Sequence, residues 1–118
     1  MKLWLDDVRE PVNKGWHWAK TGEEAIELLK QGAVEAVSFD HDLGESGISG
    51  YDVAKWIEEM AAHEGLDRIT WKVHSANPVG KKNIEAAMRA ADRFWQSTVD
   101  MDEEAADEVF RGGKEEWK

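Results

Sequence analysis

The stretch that decides the fold is residues 33–44, AVEAVSFDHDLG. Val34, Val37 and Phe39 make 33–39 a buried strand, and Asp40, His41 and Asp42 follow it without a spacer. A strand this apolar belongs inside a sheet whose faces are covered by helices.

The flanking sequence supplies the rest of such a layout. Downstream, Gly44, Gly47 and Gly50 mark a loop. Residues 51–63 then place Val53, Ile57, Met60 and Ala61 on one side of a helix. Residues 69–74 read as a further strand, 75–78 as a turn, and 79–94 as a helix with Ile84, Ala87, Met88 and Ala91 inward. Upstream, residues 2–5 are a short apolar strand ending in Asp6-Asp7. Residues 15–19, GWHWA, alternate with the period of a strand, with His17 toward solvent. Thr21 with Glu24 is a capping box, opening a helix that carries Ala25, Ile26, Leu28 and Leu29 and stops at Gly32. Trp4, Trp56 and Trp71 are expected in the core.

Strands alternating with helices imply an α/β fold with parallel pairing. The link between the first two strands is too short for a full crossover helix. Three strand ends then carry the reactive residues: Asp6 and Asp7 after the first, Asp40, His41 and Asp42 after the third, His74, Ser75 and Asn77 after the fourth. In open α/β sheets, ligands bind at the carboxyl ends of strands near the switch in strand order. Four carboxylates there raise one another's pKa unless a cation neutralises them. An oxygen-donor cluster suits Mg²⁺ first and Mn²⁺ or Ca²⁺ next, with a transition metal weaker. Ser75 and Asn77 before Pro78 also fit a turn and a helix cap. Lys81 and Lys82 flank that helix start, a natural phosphate site, and Lys82, Arg89 and Arg93 share one stripe of the helix.

Composition narrows the classes. The chain has 118 residues and no cysteine, which excludes disulfides, thiol nucleophiles and thiolate zinc sites. No apolar run approaches the roughly 18 residues of a membrane span, and Asp6-Asp7 come too early for a secretory signal, so a cytoplasmic protein is expected. The formal charge is −10, which argues against gripping a long nucleic acid. It divides evenly. Residues 1–98 form the α/β domain and carry −5. Residues 99–118 carry the other −5 as an acidic tail, with a helix expected over 102–111, a stop at Gly112-Gly113, and Trp117 available for a protein partner.

LWLDDVREP (3–11), SFDHDLG (38–44), GYDVAKWIEE (50–59) and HSANPVGKKNIEAA (74–87) together resemble the cyclic-phosphate processing receiver domain family, over roughly residues 1–94. The resemblance implies a small flavodoxin-like, receiver-like parallel sheet, a divalent-metal acidic pocket, and processing of cyclic phosphates on nucleotides or RNA ends. In ordinary receivers an acid pair after the first strand and an aspartate after the third hold Mg²⁺. Asp6 and Asp7 match the pair. The third acid is Asp40 by strand end and Asp42 by its spacing to Gly50-Tyr51. Ser75 matches the receiver hydroxyl, whereas His74 is foreign to the pattern and the lysine after a fifth strand has no counterpart.

The leading expectation is metal-dependent hydrolysis of a cyclic phosphate. Asp6, Asp7 and Asp40 would hold Mg²⁺ or Mn²⁺, with Asp42 in support. His41 and His74 would serve as base and acid. Ser75, Asn77 and the helix start at Lys81 would hold phosphate oxygens. The alternatives are a phosphoacceptor receiver using Asp40 or Asp42, and a non-catalytic module binding a nucleotide or partner. No membrane partner is expected.

Overall fold

The computed structural model describes residues 1–40, 42–43 and 47–99. His41 and the acidic helix expected over 102–111 lie outside the described residues. The elements are β1 (Lys2–Leu5), β2 (Trp16–Ala19), α1 (Gly22–Lys30), β3 (Ala36–Phe39), α2 (Gly50–Ala62), β4 (Thr70–Val73) and α3 (Pro78–Val99). The strands form one sheet in the order β2-β1-β3-β4, every pair parallel. The chain leaves β1 for β2 on one side and returns to β3 on the other. The switch point therefore lies between β1 and β3, where Asp6 and Asp40 emerge.

Local signals explain the elements. Thr21 Oγ1 accepts from the Glu24 N–H at 3.0 Å, and Glu24 reaches back to the Lys20 N–H at 3.2 Å. α2 opens on a full capping box between Ser49 and Asp52, one residue ahead of the start expected from its apolar pattern. Asn77 caps α3 by accepting from the Gly80 N–H at 3.0 Å, with Pro78 at the first helical position. α3 continues five residues past the expected Phe94. Trp95 extends the inward stripe of Ile84, Met88 and Ala91, is buried, and donates its indole N–H to the Leu66 carbonyl at 2.9 Å. β3 begins at Ala36 rather than Ala33, since its ladder partners Lys2 and Thr70 start there.

The described helices cover one face of the sheet, where both faces were expected to be covered. The β2→β3 and β3→β4 crossovers move in the same direction, so right-handed connections place α1 and α2 on the same side. α3 then packs against α2. Leu3, Leu5, Val37 and Phe39 point into that core beside Leu29, Val53, Ile57, Ile84 and Met88. In register on the opposite face lie Lys2 with Trp16 and Ala36, then Trp4 with Trp18, Ser38 and Lys72. The β1–β2 link, residues 6–15, contains no helix. Trp56 and Trp71 sit half-buried at the margin of the core rather than within it.

Gly22 fixes how the segment after β3 meets α1. A Cβ there would run into the Ile48 side chain and approach its backbone carbonyl to 3.1 Å. Gly22→Val is expected to cost roughly 1–3 kcal/mol by overpacking. Urea denaturation reads this, and an unchanged midpoint would show that the contact yields freely.

Candidate functional site

Asp6 is the organising residue. It is 2 % exposed, and each of its oxygens has assigned work. Oδ1 accepts from the N–H groups of Val8 (2.9 Å) and Arg9 (2.7 Å), which turns the chain as it leaves β1. Oδ2 lies 3.0 Å from His74 Nε2. Two tryptophans of the helix-free face pin the same turn. Trp18 donates its indole N–H to the Asp6 carbonyl and Trp4 donates to the Arg9 carbonyl, both at 2.7 Å.

His74 closes a chain of three polar groups. Its Nδ1 is 2.8 Å from Ser38 Oγ, and its ring stacks on Trp4 at 3.9 Å and 5°. Burial pushes the imidazole below its ordinary pKa. The hydrogen bond to Asp6 and the charges of Asp6 and Asp40 pull it upward less strongly, and the Arg9 charge adds to the lowering. The neutral ring has one N–H. An ionised carboxylate only accepts, so that proton sits on Nε2 and is donated to Asp6. Nδ1 is then the acceptor, and the Ser38 hydroxyl donates to it. The run is Ser38 to His74 to Asp6, across three strands.

Asp6, Asp7 and Asp40 converge: each offers an oxygen, and the three lie within 4.8 Å of one another. Asp7 and Asp40 are half-buried. Asp40 follows β3 directly, its N–H bonded to the Leu5 carbonyl at 2.9 Å, and the His74 N–H bonds to Phe39 at 2.8 Å. The ladder thus sets β1, β3 and β4 ends side by side. The open pocket above the cluster is lined by Asp6, Asp7, Val8, Arg9, Asp40 and Asp42. Asp42 is exposed at its rim and outside the tight group of three.

The remaining sequence-selected residues fall elsewhere. Ser75 Oγ accepts from the Asn77 N–H at 3.1 Å, a turn contact, and Asn77 serves as the α3 cap. Lys81 lines a groove beside β4. None of the three lines the acidic pocket. Arg9 and Ser38 were not singled out from sequence. The signal for Ser38 was a hydroxyl inside the apolar run AVSF; Arg9 carried none beyond following the acid pair.

An all-parallel sheet with carboxylates gathered at its switch point defines a receiver-like α/β domain. The sequence matches the family model described as "Cyclic-phosphate processing Receiver domain" over residues 1–90. The chain belongs to that family. No curated protein and no solved structure matches it. Among the described residues, no helix is long and apolar enough to cross a membrane.

Proposed function

We propose that the chain hydrolyses a cyclic phosphate, on a nucleotide or an RNA end, at the acidic pocket. The observation that carries this reading is the convergence of Asp6, Asp7 and Asp40 at the switch point of a domain from this family. An all-carboxylate donor set fits Mg²⁺ or Mn²⁺, and these three residues would hold the ion. Bound there, a divalent cation supplies polarisation of phosphoryl oxygens and a more acidic water.

The residues divide the remaining work. Arg9, the one cation lining the pocket among the described residues, faces the phosphate charge. In the reaction, water adds to phosphorus and one bond from phosphorus to a ribose oxygen breaks. His41, placed by sequence between Asp40 and Asp42, takes the water's proton and its imidazolium returns it to the departing oxygen. His74 has both nitrogens engaged, so its part is to hold Asp6 in place.

The test is incubation of 2′,3′-cyclic nucleotides and cyclic-phosphate-ended RNA with the full chain in Mg²⁺, Mn²⁺ or chelator. Monoester product is expected only with the cation. His41→Ala should lower turnover roughly 10²–10⁴-fold. His74→Asn should lower it roughly 10–100-fold, through cation affinity. Undiminished product in chelator would sink the reading.

Phosphotransfer to Asp40 is the second reading, favoured by the position of that residue immediately after the central strand β3. Acetyl phosphate would then add one base-labile phosphate, absent in Asp40→Asn. An unchanged mass in the unmodified chain removes it.

A further inference from the structure

A second feature of the surface carries a different reading. A groove of about 410 Å³ runs between β4 and α3, lined by Trp71 and Val73 and by five exposed cations, Arg68, Lys72, Lys81, Arg89 and Arg93. Among the described residues Glu85 and Asp92 are its only acids, so the described lining is net positive. None of the four cations Arg68, Lys81, Arg89 and Arg93 forms an ion pair with a described residue. The groove also follows the outer edge of β4, the last strand of the described sheet. An uncovered edge presents unpaired backbone groups that proteins ordinarily shield.

Beyond the end of α3 the sequence carries a segment with the opposite properties. α3 ends at Val99, and residues 100–108, DMDEEAADE, follow with six acids and no base. The α3 part of the lining, Lys81 to Gln96, spans about 22 Å of helix. Nine residues reach at most about 30 Å when they lie extended against the groove in place of the helix expected over 102–111, enough to run back along it. A segment tethered this closely meets the groove at an effective concentration in the millimolar range. We propose that residues 100–108 of the same chain occupy this groove, pairing with Arg93, Arg89 and Lys81 and covering the edge of β4. The positive groove is thereby screened from other polyanions. Single-stranded nucleic acid is the disfavoured occupant: it would approach a chain of charge −10 whose own acidic segment competes for the same cations.

Zero-length carbodiimide coupling of the full chain, read by peptide mass spectrometry, tests this. Lys81 should be joined to acids of residues 100–108 within monomers, well above Lys14, which precedes β2 at the opposite edge of the sheet. Coupling at Lys81 should fall about tenfold in Arg89→Glu/Arg93→Glu, whose side chains are exposed and leave the core intact. It should fall similarly for the unmodified chain in about 0.5 M NaCl, where exposed charges are screened. Coupling at Lys81 no greater than at Lys14 would overturn the proposal. So would links found only in dimers, which put a second copy in the groove, or protection of Lys81 by a single-stranded oligonucleotide where residues 100–108 do not link.

Discussion

Asp6→Asn is expected to leave the protein folded while lowering its affinity for Mg²⁺ or Mn²⁺ at least about 100-fold, the upper end of what losing even an outer partner of a ligand costs. The asymmetry follows from how Asp6 is held. An asparagine oxygen still accepts from the Val8 and Arg9 N–H groups. Its amide nitrogen would then face His74 Nε2, and two donors cannot pair. The relay resolves this because its far end is a hydroxyl. His74 can move its proton to Nδ1 and donate it to Ser38 Oγ, which accepts as readily as it donates. Nε2 then accepts from the new amide. Each of these contacts keeps one donor and one acceptor, and the change in folding stability should remain within about 1 kcal/mol.

Asp6→Ala has no such escape. It strips an acceptor from two backbone N–H groups and from His74, each unsatisfied group costing roughly 1–3 kcal/mol. Calorimetry with Mg²⁺, urea denaturation and the imidazole ¹⁵N shifts separate the cases. In the asparagine variant the His74 proton should move from Nε2 to Nδ1. Wild-type Mg²⁺ affinity in Asp6→Asn would show that Asp6 is not a ligand. A His74 proton still on Nε2 in that variant would sink the relay.

The legible parts of this protein are those fixed by neighbours in sequence. The capping pair Thr21–Glu24, the period-2 alternation around His17 and the acids directly after β1 and β3 are local patterns with local causes. What sequence left open depends on strand order. Which of Asp40 and Asp42 stands beside Asp6 follows only once β1 and β3 pair, and Asp40 is the one in the cluster. The Ser38–His74–Asp6 run joins residues 36 and 68 positions apart. It exists only because β4 lies next to β3 and β3 next to β1. The side taken by the described helices was equally hidden: helix periodicity says that a helix buries a stripe, not which side of the sheet receives it. Crossover direction decides that, and here both crossovers run the same way.

The largest loss of stability is expected from Phe39→Ala. Phe39 is fully buried on β3, between β1 and β4, among the helix-facing residues of the core. Removing its ring deletes transfer energy and leaves a cavity, about 3–5 kcal/mol together. Against a usual total of roughly 5–15 kcal/mol, this brings the chain near its threshold. The backbone on either side resists collapse into the void. The Asp40 N–H is tied to Leu5 and the Phe39 carbonyl accepts from His74, so the strand cannot slide inward without breaking the bonds that align the three acidic strand ends. Whatever relaxation does occur is transmitted to Asp40, one bond away, so Mg²⁺ binding should weaken alongside stability. Phe39→Leu, which keeps most of the volume, should cost less than about 1.5 kcal/mol. Val8→Ala, at an 80 % exposed position, should stay within about 0.5 kcal/mol. Urea denaturation of the three variants gives the ranking. A loss below about 1 kcal/mol for Phe39→Ala would mean that the core does not close on β3 as described.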